Sequence, residues 1–396
     1  MKILEINKYN YPKGGADRHF LDVVSLLKSQ KNEVAIFSMT NAKNERSPWE
    51  KYFVSYVGYN KNDSTLLQKI IGTCRMFYSV EAKGKIKKIL NEFNPEIVHL
   101  HNIYHQISFS ILDEIKKRNI PIVMTVHDYH LISPDKDEFL ENVGRKYWKF
   151  LFVSQKYSLS KRLILVLKTY WEDLLGFKNK IDLFIVPSQF VAEKLKKWGI
   201  ENEKIAYLPH FIPNSTLDEK SEDQKSAPYA FYFGRISADK GVPELMKTFQ
   251  KIDGIKLYIA GEIEDDTQII QDKNIAYLGK LSKEEVKNYI QKAKFCVSFS
   301  RLPETFGLTA LESIALGKPF IGLDAGAYKE IVNQGKTGFI CNNITEAKEK
   351  ISQIISKGIV FDETEIARFA QEKFGEEKYY QEIMRLFKRL FKNCHK

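Results

Sequence analysis

The sequence predicts an α/β protein built from two doubly wound parallel-sheet domains, and three observations lead to that prediction. The chain has 396 residues, more than a single hydrophobic core usually organises. Short apolar runs alternate with segments that are apolar at helical spacing, which is typical of parallel sheets covered by helices on both faces. The alternation is interrupted by a polar, acidic stretch at residues 214–228. We therefore predict one domain over residues 1–213, a linker over 214–228 and a second domain over 229–378.

The predicted strands are short runs rich in β-branched residues, and most are followed by a turn or a helical pattern. In the first domain they occupy residues 2–7, 33–38, 97–102, 122–128 and 183–188. In the second domain they occupy residues 229–235, 255–261, 275–279, 295–300, 319–324 and 338–340. Helices are predicted at residues 17–30, 242–252, 283–293 and 308–317. Residues 129–180 are basic and aromatic, with a helical pattern and no clear strand.

The composition excludes several classes of protein. Hydrophobic residues make up 43% and charged residues 28% of the chain, which is typical of a folded globular protein. The four cysteines form no CxxC pair, so we expect neither a zinc site nor a disulfide framework. No signal-peptide pattern and no membrane-spanning apolar run is visible. We expect a cytoplasmic protein, peripheral on the inner face of the cytoplasmic membrane if it meets lipid.

The net charge of +11 lies almost entirely in the first half of the chain. Residues 1–215 hold 33 Lys and Arg against 23 Asp and Glu, a net of +10, whereas residues 216–396 hold 28 against 27, a net of +1. This asymmetry favours an anionic partner such as a lipid surface or a phosphorylated acceptor. A generally lysine-rich proteome would give the same numbers, and both interpretations stay open. Nucleic acid is not expected, because no known nucleic-acid-binding motif is present.

The segment RLPETFGLTALES (301–313) places two glutamates on either side of a predicted helix start. A helix that begins near Gly307 would present unpaired amides and the positive end of its dipole to an anion. Glu312, about one turn further on, could accept hydrogen bonds from the two hydroxyls of a ribose. Glu304, before the helix, would then lie near a sugar. A solvent-facing helix start is the alternative interpretation of the same residues.

Two cations and a pair of glycines strengthen the first interpretation. Arg235 and Lys240 follow the first strand of the second domain, where they could neutralise a pyrophosphate. Gly14 and Gly15, after the first strand of the chain, could admit a phosphate to the backbone. The pattern is not GxGxxG and lacks the acidic ribose anchor of a dinucleotide site, so a nicotinamide dehydrogenase is disfavoured.

His127 ends the predicted strand at residues 122–128, where doubly wound sheets carry functional groups. Its ring could donate a hydrogen bond to a sugar hydroxyl or a phosphate. His99 and His101 should point to the same face of their strand, but they lack the helical HxxxH spacing, and we expect no bound metal. Asp128 is expected to cap the following turn.

Together these segments resemble the retaining glycosyltransferases of the GT-B fold, and glycosyltransferase family 4 in particular. The resemblance rests on KGGADRHFLDVVSLL (13–27), PEIVHLHN (95–102), IVMTVHDYH (122–130), YFGRISADKGVPEL (232–245) and PETFGLTALESIALGKPFIGLDAGAYKEIV (303–332). The last segment contains the E-x7-E signature of the family. The resemblance implies two Rossmann-like domains facing each other across a cleft, with a C-terminal helix at about residues 379–396 packing back on the first domain.

The resemblance also implies a nucleotide-diphosphate sugar as donor substrate, a glycan or lipid-linked acceptor, no cofactor, and transfer with retention and without a metal. Arg235 and Lys240 would then neutralise the diphosphate, Glu312 would bind ribose, and Glu304 and His127 would contact the donor sugar. Glu304, Arg235, Lys240 and His127 would be the catalytic residues. The implied donor-binding residues are Gly14, Gly15, Gly234, Arg235, Lys240, Gly261, Glu262, Leu281, Glu304, Phe306, Gly307, Leu308, Thr309 and Glu312.

Two positions depart from the usual pattern of the family, and each could tune the choice of sugar. His210 stands where many relatives carry Asn, and Ala327-Tyr328 stands where Gly and a small residue are frequent. A sugar-nucleotide epimerase on the same scaffold and a basic binding protein without catalysis remain as alternatives. Synthesis of cell-surface polysaccharide or glycolipid suits the basic first half.

Overall fold

The computed structural model describes the following residues: 1–57, 66–135, 145–154, 157–217, 228–264 and 267–394. They form two compact units. The first unit comprises Met1–Pro187, Val191–Leu208 and Tyr380–Lys396, and the second comprises Ser188–Phe190 and Pro209–Tyr379.

Residues 209–213, which the sequence assigned to the first domain, belong to the second unit. Ile212 is the reason, because its amide donates to the carbonyl of Phe374 at 2.9 Å and its backbone forms a parallel bridge with Gly375. The predicted linker begins with a short helix at Asn214–Leu217. Its residues 218–227 lie outside the described part of the chain.

The first unit is a parallel sheet of six described strands in the order β2-β1-β3-β4-β5-β6. The strands are β1 (Lys2–Ile6), β2 (Glu33–Phe37), β3 (Ile97–Leu100), β4 (Ile122–Thr125), β5 (Leu183–Val186) and β6 (Ile205–Tyr207). The helices are α1 (Gly15–Ser29), α2 (Leu66–Phe77), α3 (Val80–Phe93), α4 (Leu112–Lys116), α5 (Phe150–Val153), α6 (Leu159–Leu174) and α7 (Gln189–Trp198), the last of which begins in the second unit. All five predicted strands are confirmed, and β6 was missed.

The second unit repeats this plan with six described parallel strands in the order β12-β11-β10-β7-β8-β9. The strands are β7 (Tyr229–Phe233), β8 (Lys256–Ala260), β9 (Ile275–Tyr277), β10 (Phe295–Ser298), β11 (Phe320–Leu323) and β12 (Gly338–Cys341). The helices are α8 (Asn214–Leu217), α9 (Val242–Phe249), α10 (Lys283–Lys292), α11 (Leu308–Ala315), α12 (Tyr328–Ile331), α13 (Ile344–Ile355), α14 (Glu363–Phe374) and α15 (Glu376–Cys394), which continues into the first unit. The predicted strands and helices of this half are confirmed.

Strand β7 shows why the sheet of the second unit is covered on both faces. Its five residues are all buried, and their side chains alternate between two hydrophobic clusters. Tyr229, Phe231 and Phe233 belong to one cluster, whereas Ala230 and Tyr232 belong to the other. Because successive side chains of a strand point to opposite faces, each face has its own core. The apolar run in the sequence therefore reflects burial on both sides.

Helix α15 contributes apolar side chains to the first unit. Phe387 is fully buried, and its ring lies 5.4 Å from that of His99 on β3. The hydroxyl of Tyr380 accepts a hydrogen bond from the side-chain amide of Asn32 at 3.3 Å. Of the helices in the described residues, none combines the length and apolarity needed to cross a bilayer.

Candidate functional site

The loop before α11 holds the most concentrated set of candidate groups in the second unit. Gly307 immediately precedes this helix with a φ of 103°, and a Cβ atom on it would lie 2.5 Å from Cε1 of the Tyr328 ring. Both observations require glycine at this position. The amides of Ala310 and Leu311 donate to the carbonyl of Gly307. The helical ladder starts there, so the amides of Gly307, Leu308 and Thr309 have no acceptor within the helix.

Glu304 is fixed in this loop through both its backbone and its side chain. Its carbonyl accepts the amide of Ala327 at 2.9 Å, and Gly326 packs so closely that a Cβ atom there would lie 2.3 Å from the same oxygen. Its Oε1 accepts hydrogen bonds from Lys240 Nζ at 2.6 Å and from Ser300 Oγ at 2.7 Å. The predicted partners Lys240 and Glu304 are thus brought into contact, 64 positions apart in the chain.

Arg235 lies directly after β7 and is more exposed than Lys240. Its guanidinium forms an ion pair with Glu264 at 2.9 Å, and its carbonyl accepts a hydrogen bond from the buried hydroxyl of Tyr232. Burial, assisted by the charge of Glu304, raises the pKa of Tyr232, so this phenol keeps its proton and remains a donor. The ends of β7 and β8 meet through Gly234 and Gly261, because a Cβ atom at Gly261 would lie 1.7 Å from the carbonyl oxygen of Gly234.

Glu312 lies four residues after Leu308 on the same side of α11, and both side chains are partly buried. Its contact with ribose stays a prediction. Glu262 forms an exposed ion pair with Lys280 at 3.1 Å, and Leu281 packs at the edge of the hydrophobic core. The donor-binding role that the resemblance implies for both residues also stays a prediction.

The side chain of Phe306 does not fit the donor-binding role assigned from the sequence. It is 3% exposed, and its ring lies 4.9 Å from that of His210 and 6.0 Å from that of Phe374. Aromatic packing therefore uses this ring in the core, and only its backbone is left to meet a ligand. The same contact explains the burial of His210, a residue that is 4% exposed and whose ring packs edge-on against Phe306.

In the first unit, His127 lies two residues after β4 and belongs to a network of histidines. Its Nε2 is 2.8 Å from Nδ1 of His101, whose Nε2 is 3.0 Å from Oε2 of Glu5. His99 Nδ1 lies 3.0 Å from the other oxygen of Glu5, and its Nε2 is 2.8 Å from the hydroxyl of Thr125. Glu5, His99 and His101 are fully buried, whereas His127 is partly exposed.

His127 and Asp128, which follow β4, have pKa values that are lowered for different reasons. Burial is the main cause that lowers the pKa of His127 to about 3, with Asp128 opposing it and His99 and Lys8 adding to it. For Asp128, burial acts to raise the pKa, but the charge and hydrogen bonds of His130 prevail and lower it to about 2. At neutral pH, His127 is therefore uncharged and Asp128 is ionised. Asp128 also accepts the amide of His130 at 3.0 Å, which confirms the predicted cap.

Gly14 and Gly15 lie at the start of α1. Gly14 has an extended backbone, and a Cβ atom there would meet its nearest neighbour at an ordinary 3.8 Å. Its conformation does not by itself require glycine, so a role in approaching a phosphate stays a prediction. Asp17, in the first turn of α1, is buried and accepts a hydrogen bond from Asn7 at 2.9 Å.

Two profiles of known families match the chain over adjacent segments. Residues 13–215 match glycosyltransferase family 4, and residues 214–373 match the glycosyl transferases group 1. The first match covers more than half of the chain. The chain belongs to glycosyltransferase family 4. The prediction of a glycosyltransferase is thereby confirmed.

Individual relatives of this family 4 glycosyltransferase are distant. An uncharacterized glycosyltransferase of Methanocaldococcus jannaschii is 26% identical over 365 residues, covering 90% of this chain and 89% of the relative. A lipopolysaccharide 1,2-N-acetylglucosaminetransferase of Salmonella typhimurium is 24% identical over 306 residues, covering 72% and 69%. Among solved structures, Anabaena HepE in complex with UDP is 14% identical, with a TM-score of 0.65 over 98% of this chain and 100% of the other. This likeness supports the GT-B fold.

Sequence reasoning missed several contacts that hold the candidate groups of the two units. Ser300 binds Glu304, Tyr328 lies under Gly307, and Glu5 joins His99 to His101. A signal existed for Glu5, because a glutamate in the middle of an otherwise apolar buried strand requires partners. Tyr328 was noted only as a departure from the family pattern, and its contact with Gly307 was not predicted. For Ser300, the spacing in the sequence gave no comparable signal.

Proposed function

We propose that this family 4 glycosyltransferase moves a sugar from a nucleoside diphosphate sugar to a hydroxyl of a glycan or lipid-linked acceptor, with retention of configuration and without a bound metal. The observation that carries the proposal is the contact of Lys240 with Glu304 next to the start of α11. It unites a cation, a carboxylate and a helix N-terminus in one loop region. Such a group suits a ligand that carries phosphate at one end and hydroxyls at the other.

The phosphate end of the donor would meet positive charge from more than one direction. Lys240, Arg235 and the amides that begin α11 are the sources, and the helix dipole adds to them. In the structure each cation is paired with a carboxylate, Lys240 with Glu304 and Arg235 with Glu264. A diphosphate would compete for both cations. As the bond to the sugar breaks, the same groups would stabilise the departing nucleotide electrostatically.

The sugar end would be held by Glu304. Within the described residues, the two hydrogen bonds of the Glu304 side chain are both accepted by Oε1. Its Oε2 can therefore accept hydrogen bonds from sugar hydroxyls. Glu312, one turn along α11, is the candidate for the ribose. The Anabaena protein that shares the fold was solved with UDP, which supports a uracil nucleotide as the first donor to test.

Thermal unfolding with UDP, GDP and ADP, measured for the wild type and Glu312→Ala, tests this proposal. A nucleotide present at 100 times its dissociation constant should stabilise the protein by about 2.7 kcal/mol. We expect one nucleotide to raise the Tm of the wild type and to have little effect on Glu312→Ala. The matched control is Glu365→Ala, which removes an exposed carboxylate of α14 from the same unit. No shift with any nucleotide would contradict the donor site.

Transfer itself needs a separate measurement. The proton spectrum of the product should show the anomeric configuration of the donor, and addition of a chelator should leave the rate unchanged. Inversion of configuration would contradict retention, and loss of activity restored by a divalent cation would contradict metal independence.

We further propose that the first unit acts at the inner surface of the cytoplasmic membrane, where a lipid-linked acceptor would be found. Helix α6 carries a stripe of exposed apolar side chains at helical spacing: Leu159, Leu163, Leu167, Tyr170, Trp171 and Leu174. Leu159 and Leu174 are 64% and 77% exposed. Trp148 and Phe152 are exposed beside it, and their rings are in contact. Exposed Arg145, Lys146 and Lys161 add positive charge, which favours an anionic lipid surface.

Sedimentation with lipid vesicles tests the membrane proposal. We expect binding to vesicles that contain phosphatidylglycerol, weaker binding to pure phosphatidylcholine, and at least about tenfold weaker binding for the double variant Leu163→Ser, Leu167→Ser. Val360→Ser, which removes a more exposed apolar side chain from the second unit, is the control. Equal binding by all three proteins would contradict this location.

A further inference from the structure

The first unit contains a continuous chain of hydrogen-bonding groups that leads from the core to His127. It starts at the buried carboxylate of Glu5 on β1, passes through His101 and ends at His127, with separations of 3.0 and 2.8 Å. Glu5 lies directly beside His99 in the register of β1 and β3. A second branch leaves the same carboxylate through His99 and ends at Thr125. Both branches lie within one sheet.

The chemistry of each group determines where the protons lie. A carboxylate in its ionised form only accepts hydrogen bonds, and in that form Glu5 would accept them from Nε2 of His101 and Nδ1 of His99. A neutral His101 then has its lone pair on Nδ1, and it must accept a hydrogen from Nε2 of His127. On the other branch, the hydroxyl of Thr125 donates to Nε2 of His99. With a neutral His101, this assignment gives each of these four contacts one donor and one acceptor.

The assignment has a consequence for His127, which is uncharged at neutral pH. With its proton on Nε2, the lone pair of the ring is on Nδ1. His127 would therefore accept a hydrogen bond from a substrate hydroxyl. This differs from the sequence-based expectation, in which the ring of His127 donates the hydrogen bond. An imidazole free to exchange tautomers would offer both roles, so the two residues behind it decide which chemistry the ring presents.

We propose that Glu5 and His101 are positioning residues that hold His127 in its Nε2–H tautomer, so that its Nδ1 accepts a hydrogen bond from a hydroxyl of the donor sugar or the acceptor. This inference rests on the proposed function for the identity of the hydroxyl. Glu5, His99 and His101 also form a group whose nitrogen and oxygen atoms lie within 4.8 Å of one another, as metal ligands do. Their mutual hydrogen bonds use the same atoms, and we assign the group to the hydrogen-bonded network.

The direct test is the ¹⁵N spectrum of the wild-type protein labelled at its histidine rings and recorded at neutral pH without ligand. Protonated and unprotonated ring nitrogens have well-separated shifts, and loss of signals in His127→Gln identifies His127. We expect the proton of His127 on Nε2 and that of His101 also on Nε2. A proton on Nδ1 of His127, or a charged His127 ring, would overturn the inference. Among the residues that the structure describes, the charged and titratable groups that face His127 include His101, His19, His99, Asp128 and Lys8.

A matched pair of variants separates positioning from general stability. His101→Phe and His99→Phe each remove one donor from Glu5 at a fully buried position, so we expect similar falls in Tm. Only His101→Phe breaks the route to His127. We expect it to release the tautomer preference of His127, whereas His99→Phe should keep the proton on Nε2. Equal spectra of His127 in the two variants would overturn the inference even if both variants are destabilised.

Activity provides the link to the reaction. With whichever of UDP-glucose and UDP-N-acetylglucosamine raises the Tm of the wild type, release of UDP is measured at saturating donor. We expect kcat to fall about 100-fold in His101→Phe, with a markedly smaller loss in His99→Phe and little change in KM for the donor. An equal loss of kcat in both variants would contradict a positioning role. Failure of both donors to bind the wild type would instead contradict the proposed function, while the spectrum would still decide the tautomer.

Discussion

The candidate groups of the second unit lie in loops after strand ends, whereas those of the first unit begin inside the sheet. Glu304 and Lys240 meet at side chains that are 14% and 19% exposed, where water can relax around their charges and a ligand can displace one partner. Glu5 and His101 are fully buried, so their partners cannot be exchanged without leaving a buried polar group unsatisfied. The second unit therefore has charges suited to exchange with a substrate, and the first has a fixed arrangement suited to orienting one ring.

The largest expected effect concerns the exchangeable pair. Glu304→Gln keeps the size of the side chain but removes the charge that pairs with Lys240, and it weakens hydrogen bonds that would strengthen during sugar transfer. We expect kcat to fall about 100- to 1000-fold, with a small change in Tm because the pair is partly exposed. Steady-state release of nucleotide measures the rate. Glu365→Gln, in an exposed pair with Arg368 of the same unit, is the control, and an equal loss there would remove the special role of Glu304.

The second-largest expected effect concerns the start of α11. It tests whether this turn tolerates a substitution as poorly as the buried network of Glu5, His99 and His101 is expected to. Gly307→Ala must place a methyl group against the ring of Tyr328 at a φ of 103°. We expect the free energy of unfolding to fall by about 2–3 kcal/mol, measured by denaturant titration. Gly335→Ala has a similarly positive φ of 76° and no atom within 4 Å of its Cβ position, so it isolates the backbone cost. Equal losses would show that contact with Tyr328 is unimportant.

A third prediction uses pH to test the buried, neutral state of His127 in the first unit. The pKa of His127 is lowered to about 3 in the folded protein, so between this value and the ordinary value near 6.5 the unfolded chain binds the extra proton. The contribution of neutral His127 to the free energy of unfolding is fully present above pH 6.5, and it is lost as the pH falls towards 3. The slope is at most about 1.4 kcal/mol per pH unit for one proton. Denaturant titrations from pH 7 to pH 4 should show a shallower slope for His127→Gln than for the wild type.

The contribution of Asp128 should appear in a different pH window. Its pKa is lowered to about 2, so its stability is present above the ordinary value near 3.9 and is lost only as the pH falls below it. Asp128→Asn should therefore change the slope below about pH 4. An unchanged slope for His127→Gln between pH 4 and 6.5 would contradict the buried neutral state of that ring.

The smallest expected effect concerns the exposed pair of Arg235 and Glu264. Glu264→Ala should change the free energy of unfolding by less than about 0.5 kcal/mol, because surface pairs contribute little. It removes a competitor for the guanidinium, so we expect the nucleotide to bind about twofold to threefold more tightly, with a stronger dependence on salt. Calorimetric titration of both proteins measures this difference. Weaker binding would indicate that Glu264 orients Arg235 for the ligand.

Some parts of both units were predictable because they depend on local patterns. Short, continuous apolar runs rich in β-branched residues identified eleven strands, because burial on both faces of a sheet leaves no alternation of apolar and polar residues. The three-residue strand β6 was missed although β9, which was predicted, has the same three residues and the same partial burial, so burial does not explain the omission. The helix start at Gly307 was predicted from one contiguous segment. The burial of the Phe306 ring was not, because its partners His210 and Phe374 are distant in the chain.

The sequence alone determined the two doubly wound sheets, the helix start at Gly307 and the family, because each was predicted from patterns of residues that are close in the chain. The tertiary structure alone decided that Lys240 meets Glu304, that Tyr328 lies under Gly307, and that Glu5 joins His99 to His101. The order β2-β1-β3-β4 of the first sheet places residues 5, 99, 101 and 127 together. A hydrogen bond depends on the distance between atoms, and neighbouring parallel strands create that proximity between residues that no local pattern connects.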